Sequence, residues 1–379
     1  MVEQPILIVG VSCRAAAASA RRSGFSPWVI DLFGDEDTRR LAEVRTCELA
    51  DYPRSIAGLA ERIPPMPFVY TGGIENHPRL VDELSRERER WGNSSEVLER
   101  VRDPFKLQAW FKIAGIGFPR TVRELSPEEP GTWLRKPYAS GGGRGIDFAN
   151  GANRSDEQFW QAFREGESMS AIFASDRSTC ELLGSSYQLI GQDWLHAEDF
   201  AYCGTIGPDA ADVQLEGELK RIANLLVEKS GLRGVWGFDF LLWEGEIVVL
   251  EVNPRYTASI EILEHQLGVR SFDWIRWAFA GGPKPVERSS SERIFGKAIY
   301  FARNELTFPT SGPWLEALEN ARDVENLGEF ADIPLPNSIS PTGFPILTFF
   351  AEARTRAECL IRLQSRAMEL DQLFSEAAP

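Results

Sequence analysis

The stretch "WGFDFLLWEGEIVVLEVNPR", residues 236 to 255, constrains this chain more than any other. Residues 238–243 and 246–252 read as two apolar strands, and Glu244-Gly245 between them reads as a tight turn. Side chains along a strand alternate between faces, so Glu251 and Asn253 share one face and the hairpin brings Asp239 opposite them. Two carboxylates and an amide then occupy one small patch. A hairpin with a wet polar face is the bland account, but it leaves like charges directly opposed with nothing between them, which is unfavourable. Hard oxygen donors on one face suit Mg2+, which is held by one or two carboxylates while substrate phosphates complete its shell. The hairpin therefore asks for a nucleotide.

A phosphate ligand would need local cations, because the chain as a whole is acidic. Lys plus Arg number 41 and Asp plus Glu 56, a formal charge of −15, which argues against a nucleic acid or an anionic membrane as partner. No apolar run reaches membrane-spanning length. The opening "MVEQPILIVGV" has an acid at position 3 and a short apolar run, which fits a first buried strand better than a signal peptide. Cys13, Cys47, Cys180, Cys203 and Cys359 are odd in number and lack CxxC spacing, so they give neither a disulfide framework nor a zinc site. A reducing cytoplasm is the expected compartment. At 379 residues the chain has room for two or three domains.

Along the chain, "ILIVG", an Ala-rich helix and "PWVIDLF" ending in Asp31 read as a βαβ opening. The turn lacks G-x-G-x-x-G, so no dinucleotide is indicated. "FVYTGGIENHPRL" reads as a third strand, a Gly pair and a helix from about Pro78 to Arg90. Ligands of open α/β sheets bind beyond strand C-terminal ends, which makes Thr71 to Asn76 a substrate-loop candidate, although Gly72-Gly73 equally serves a plain turn. Asp103 as N-cap, Pro104 at the first helical position and Gly115 to Gly117 as the stop mark a further helix and a new domain. Residues 212–230 read as an amphipathic helix, 281–295 as a polar linker, and "GKAIYFARNE" and "GFPILTFFAEA" as strands of a small last unit. Thr355 and Glu358 form a capping box for the final helix.

Lys136 ends a strand, and Ser140, Gly141, Gly142, Gly143, Arg144 and Gly145 follow as a flexible loop. Small residues let backbone N–H groups close around phosphate oxygens, and the lysine adds a point charge. A Gly-rich hairpin turn is the alternative. The P-loop pattern G-x-x-x-x-G-K-[ST] is absent. Lys106 lies near a helix start, where its charge opposes the dipole, and reads equally as a solubilising lysine. His77, His196 and His265 are scattered and read as structural or surface residues. Tyr202 and Gly204 are candidates for substrate contact or for core packing.

In order, helix-borne Lys106, strand-borne Lys136 with its glycine loop, "QAFREGESMS", and "GFDF" with "LEVNPR" resemble the ATP-grasp superfamily. "VSCRAAAASARRSGF", "DLFGDED" and "GGIEN", with the strands "GKAIYFA" and "GFPILTFFAEA", resemble the group of predicted ATP-dependent carboligases related to biotin carboxylase. The resemblance implies an α/β and α+β chain with the ATP-grasp fold. Residues 1–100 would be a Rossmann-like substrate domain, 101–281 the nucleotide- and metal-binding domain, and 282–379 a small β-rich unit completing the fold. It implies ATP and two Mg2+ as cofactors, with Mn2+ able to substitute. Lys106 and Lys136 would bind ATP phosphates, and Ser140, Gly141, Gly142, Gly143 and Gly145 would close over the β and γ phosphates. Ala162, Phe163 and Arg164 would offer backbone groups to adenine. Here the chain departs from the family pattern: Ala162 stands where a Glu is frequent, and Ser168 where many members carry the ribose-binding acid, so Glu167 is the substitute. Asp239 and Glu251 would hold one Mg2+, Glu251 and Asn253 the second, and Arg255 would act with Lys136 on the phosphoryl group in flight.

The activity so implied is ligation of a small-molecule carboxylate to an amine through an acylphosphate, with a glutamate-type ligation in one-carbon cofactor biosynthesis as one candidate. A carboxylase working through carboxyphosphate and a nucleotide-sensing module without turnover are the alternatives. A homodimer is compatible with all three.

Overall fold

The computed structural model describes residues 4–126, 128–149, 156–176, 178–208, 213–286 and 291–376. A parallel sheet opens the chain: β1 (Gln4–Val9), β2 (Phe25–Asp31), β3 (Glu43–Thr46) and β4 (Phe68–Tyr70), in the order β3-β2-β1-β4. Its strands bury both faces, as parallel strands covered on both sides must. Ile6, Ile8 and Val29 enter one core, and Leu7, Val9 and Ile30 enter another. The Ala-rich segment forms α1 (Arg14–Arg22), the crossover of the expected βαβ unit. Then come α2 (Glu36–Leu41), α3 (Ile56–Glu61) and α4 (Pro78–Leu84). α4 stops well before Arg90, the end expected from the sequence, because the chain returns to the sheet edge. There Phe68 N donates to Glu89 O and Trp91 N to Phe68 O.

α5 (Ser95–Val101) leads into α6 (Pro104–Ala114), whose ends follow the sequence reading. Asp103 Oδ1 accepts from Phe105 N and Lys106 N, and Gly115 closes the helix at φ 65°. A small antiparallel sheet follows, built from β5 (Thr121–Val122), β6 (Trp133–Pro137), β7 (Asp147–Phe148) and β8 (Gln158–Ala162) in the order β5-β8-β6-β7.

The largest sheet takes β9 (Glu167–Ser175), β10 (Cys180–Ile190), β11 (Tyr202–Ile206), β12 (Gly234–Trp243), β13 (Glu246–Asn253), and β14 (Ile294–Phe301). Short β15 (Leu306–Thr307) and β17 (Ile339–Ser340) pair with each other, while β16 (Phe330–Ala331) and β18 (Pro345–Ala353) join the large sheet. Its order is β13-β12-β9-β10-β11-β14-β18-β16. The sheet therefore runs from the predicted nucleotide domain into the last unit without a break. α7 (Val213–Ser230), α8 (Ile260–Leu267), α9 (Ser271–Ala280), α10 (Leu315–Glu319) and α11 (Arg356–Glu376) complete the chain. Residues 209–212 and 287–290, within or beside the predicted helix and linker, lie outside the described residues. Thr355 Oγ1 accepts from Glu358 N, and the Glu358 carboxylate takes Arg354 N, so the predicted capping box is present with its return bond one residue earlier.

One apolar core unites the two sheets: Ile6 and Ile8 of β1, Ile172 and Ala174 of β9, and Phe272 and Ile275 of α9. All five cysteines are free. Among the described residues no helix is long and apolar enough to cross a membrane.

Candidate active site

The β12–β13 turn has Glu244 at φ 50° and Gly245 at φ 83°, the left-handed pair that a two-residue type I′ connection needs. Asp239 pairs with Glu251 and Gly237 with Asn253. The register slips between Asp239 and Phe240, because Phe240 pairs with Val249 and Leu250 is the extra residue. This bulge decides the chemistry. Ile247, Val249 and Val252 all enter the core beneath the sheet. With strict period two Glu251 would follow Ile247 and Val249 into that core; the inserted residue turns Glu251 and Asn253 to the other face, where Asp239 lies.

On that face Asn253 Nδ2 donates to Asp239 Oδ2 at 2.9 Å, and Gln188 Nε2 donates to Asp239 Oδ1 at 3.0 Å. Ser168 Oγ bonds Gln188 Oε1 at 3.1 Å. Burial and the neighbouring Glu251 charge push the Asp239 carboxyl up to about 7. Burial pushes Glu251 the same way, but Arg102, Lys136 and Arg255 together hold it below the usual carboxylate range. Arg102 Nη1 lies 3.3 Å from Glu251 Oε2. Lys136, whose ammonium is disfavoured by burial, donates to Gln161 Oε1 at 2.9 Å.

Arg255 is fixed from three sides. Its Nε donates to Glu75 Oε1 at 2.9 Å, its Nη2 to Asn253 Oδ1 at 3.3 Å and its Nη1 to Tyr256 O at 3.3 Å. Glu75 is 2% exposed, and its second oxygen is buried without a partner among the described residues. The Thr71–Asn76 loop thus reaches the patch from the end of β4. Asn76 Nδ2 and Arg102 Nη2 both donate to Ser140 O, at 3.2 and 2.8 Å. The glycine loop is held down on its other side too, where Tyr202 N donates to Gly142 O. Gly143, at φ 78°, lies so close to Phe200 O that a Cβ would sit 1.8 Å from it. Tyr202 itself turns its hydroxyl to Thr205, at 2.6 Å.

Asp239, Glu251, Asn253, Arg255 and Lys136 are thus gathered, with Ser140 to Gly145 folded nearby. Lys106 stands apart: it is exposed, and its ion pair is with Asp103 on its own helix turn. Ala162 N and Phe163 N are already engaged, donating to Arg120 O and Thr132 O. Glu167 pairs with Arg356 of α11, and on the alternating strand β9 it faces away from Ser168. Four residues of the site escaped sequence reading. Glu75 lies in the Thr71–Asn76 substrate-loop candidate, whereas Arg102, Gln161 and Gln188 have no motif to announce them and reach the patch only through the fold.

Two paired carboxylates and an amide oxygen fit Mg2+, a hard cation that takes oxygen ligands. The protein alone does not complete a cage: among the described residues no group of three or more His, Cys, Asp or Glu is placed to hold a metal ion. Phosphate oxygens would have to supply the remaining ligands, and Lys136, Arg102 and Arg255 stand around the patch as cationic groups.

Residues 101–259 match the family model for an ATP-grasp domain. The chain carries an ATP-grasp domain. Over 233 residues it is 22% identical to the carbamoyl phosphate synthase large chain of Thermoplasma acidophilum, a match spanning 54% of this chain and 21% of that one. The ATP-grasp fold extends over nearly the whole chain. An L-amino acid ligase from Bacillus licheniformis superposes with a TM-score of 0.66 at 14% identity, covering 96% of this chain and 97% of the ligase. A biotin carboxylase from Campylobacter jejuni, solved as a β,γ-ATP complex, gives 0.68 at 14% identity, covering 95% and 89%. At such identities the likeness is one of fold. The kinship expected with biotin carboxylase is therefore present at that level.

Proposed function

We propose that the chain is an ATP-dependent carboxylate–amine ligase that releases ADP and phosphate. The observation that carries this reading is the Asp239–Glu251 pair enclosed by Arg102, Lys136 and Arg255. Negative charge at the centre and positive charge around it suit a metal-bound phosphoryl group. Mg2+, when bound, supplies the charge neutralisation that phosphoryl transfer needs more than covalent help.

The residues then divide the labour. Asp239, Glu251 and Asn253 hold the metal, which requires Asn253 to give up one of its present bonds to Asp239 and Arg255. Lys136 and the Ser140–Gly145 loop hold the phosphates, and Arg164 remains a nucleotide-binding candidate, whereas Lys106 and Glu167 are paired elsewhere and the Ala162 and Phe163 N–H groups are already engaged. Arg255, positioned by Glu75, presents a planar fork to the phosphoryl oxygens and keeps its charge at any working pH. A substrate carboxylate takes the γ-phosphate, and an amine displaces phosphate from the acylphosphate to give the amide. The fold likeness to an L-amino acid ligase supports this reading, and the likeness to biotin carboxylase supports its rival, transfer to bicarbonate.

Isotope transfer decides. With MgATP and a library of carboxylates and amines, ADP and phosphate are expected, and ¹⁸O placed in the carboxylate is expected in the phosphate. AMP and pyrophosphate, or phosphate free of substrate oxygen, would overturn the acylphosphate route. Phosphate release that depends on bicarbonate would put carboxyphosphate in its place.

A further inference from the structure

A second set of carboxylates lies at the C-terminal edge of the parallel sheet, and the chemistry above does not use it. Asp31, at the end of β2, accepts Gly34 N at 2.8 Å and Cys13 N at 3.3 Å. Asp37 accepts Asp332 N at 2.8 Å and Ile333 N at 3.1 Å. Asp332, held at φ 51°, receives Arg14 Nε and Nη2, each at 3.1 Å. Arg14 also grips Glu261, which Lys297 Nζ meets at 3.1 Å. Arg14, Asp31, Asp37, Glu261 and Lys297 are all at most 5% exposed.

Asp35 is the odd member. It is 6% exposed, yet its carboxylate makes no hydrogen bond or ion pair among the described residues, and it does not cap α2 although it stands at the N-cap. Asp37, Asp332 and Asp31 act on its charge more strongly than Arg14 does. An unpaired buried carboxylate thus stands among acids of its own sign. Burial of a charge is costly unless it is paired, and Arg14 is already divided among Asp332, Glu261 and, at 3.7 Å, Asp37. Five carboxylates, Asp31, Asp35, Asp37, Asp332 and Glu261, face two buried cations, Arg14 and Lys297.

We propose that Asp35, with Asp31, Asp37 and Asp332, forms the subsite for an ammonium group on the acceptor substrate. The inference rests on the ligase reading and narrows its amine to a compound that carries a protonated amino group besides the reacting nitrogen. Two further observations fit it. The carboxylates are not gathered tightly enough to share a metal ion, whereas an ammonium with three diverging N–H donors can bridge acids spread around it. The subsite also occupies the strand edge where ligands of open α/β sheets bind, and the same edge sends Glu75 to Arg255. Burial raises Asp31 to about 6 and Asp37 to about 7, as expected of acids short of counter-charge.

The test is thermal denaturation of the full chain without nucleotide, in wild type and Asp35→Asn, with 1,4-diaminobutane, 1,4-butanediol, MgCl2 or NaCl at matched ionic strength. Asp35→Ser is read in parallel. The diamine is expected to raise the wild-type Tm with concentration, and the diol and both salts are not. Removing the Asp35 charge is expected to raise the Tm of the ligand-free protein by about 2 to 4 °C and to abolish the diamine response. A structural role would do the opposite, so a lower Tm in both variants overturns the proposal. So do a wild-type protein that ignores the diamine, a diol that matches it, variants that keep its effect, or an Asp35-dependent response to MgCl2, which would make this a metal site. Amine-dependent ADP release by the wild type tests the ligase reading separately. A diamine response without ADP release keeps the subsite and removes the ligase; ADP release with uncharged amines and no diamine response does the reverse.

Discussion

The two carboxylate clusters of this molecule differ in what surrounds them. Asp239 and Glu251 sit side by side on adjacent strands, and Arg102, Lys136 and Arg255 converge on Glu251 strongly enough to keep it ionised despite burial. Asp35 and Asp37 draw on Arg14, which is divided among several acids, Asp31 draws on Arg39, and burial raises all three. That difference in charge compensation fits the two proposed ligands, a metal ion accompanied by phosphates at the first cluster and an ammonium without an anion at the second.

If that contrast is right, the largest effect falls on the cation that faces transferring charge. Arg255→Ala is expected to lower kcat by roughly 10² to 10³, as loss of a preorganised oxyanion donor does, with a smaller change in the Michaelis constant for ATP. Steady-state kinetics checks it; a rise in the Michaelis constant alone would make Arg255 a binding residue. Next comes Lys136→Ala, which should weaken MgATP binding by roughly 1.5 to 3 kcal/mol, the range for a charged hydrogen bond. Calorimetry of the folded variant reads it directly, and unchanged affinity would detach the strand lysine and its loop from the phosphates.

Both clusters contribute to the pH dependence: at the first, Asp239 is raised to about 7 while Glu251 is lowered. At the second, the folded-state values of Asp31 and Asp37 lie above the ordinary value of 3.8, at about 6 and about 7, with Asp35, Asp332, Arg14, Arg39 and Glu261 as the charges facing them. The folded protein then binds more protons than the unfolded chain between about pH 4 and pH 7, so stability should fall as pH rises across that window. Asp35→Asn should reduce the slope by easing Asp31 and Asp37 back toward their ordinary values. Denaturant titrations at several pH values measure it, and an unaltered slope would mean that the acids do not sense one another.

The same contrast explains what could be read without coordinates. The hairpin cluster was legible because its residues are fourteen or fewer apart, with strand period and turn chemistry fixing the pairing. Even there the bulge at Leu250 was invisible, since an apolar residue in a strand leaves no mark of being extra. The α6 cap and the βαβ opening were legible for the same local reason. The second cluster joins Asp31–Asp37 to Asp332 and Arg14 to Glu261, pairings set by packing that no local pattern encodes. The end of α4 was missed because the sheet edge recaptures residues 89–91 through backbone bonds, not side chains.

The smallest expected effect tests where family analogy and geometry part. By analogy Glu167 replaces a ribose-binding acid. In the structure it holds Arg356 at the surface, while Ser168, the next residue along β9, shares a face with Gln188 and Asp239. A strand cannot turn two adjacent side chains to one face without a bulge, and β9 pairs with β12 in unbroken register from Glu167 to Ser175. Glu167→Ala should therefore leave MgATP affinity within about twofold and cost at most about 1 kcal/mol of stability, the usual worth of an exposed ion pair. Ser168→Ala, which cuts the support of Gln188 beneath Asp239, should weaken MgATP binding more than Glu167→Ala does, because a hydrogen bond in a partly buried chain contributes roughly 0.5 to 1.5 kcal/mol. The reverse order in paired titrations would mean that β9 shifts its register when nucleotide binds, and would return the ribose to Glu167.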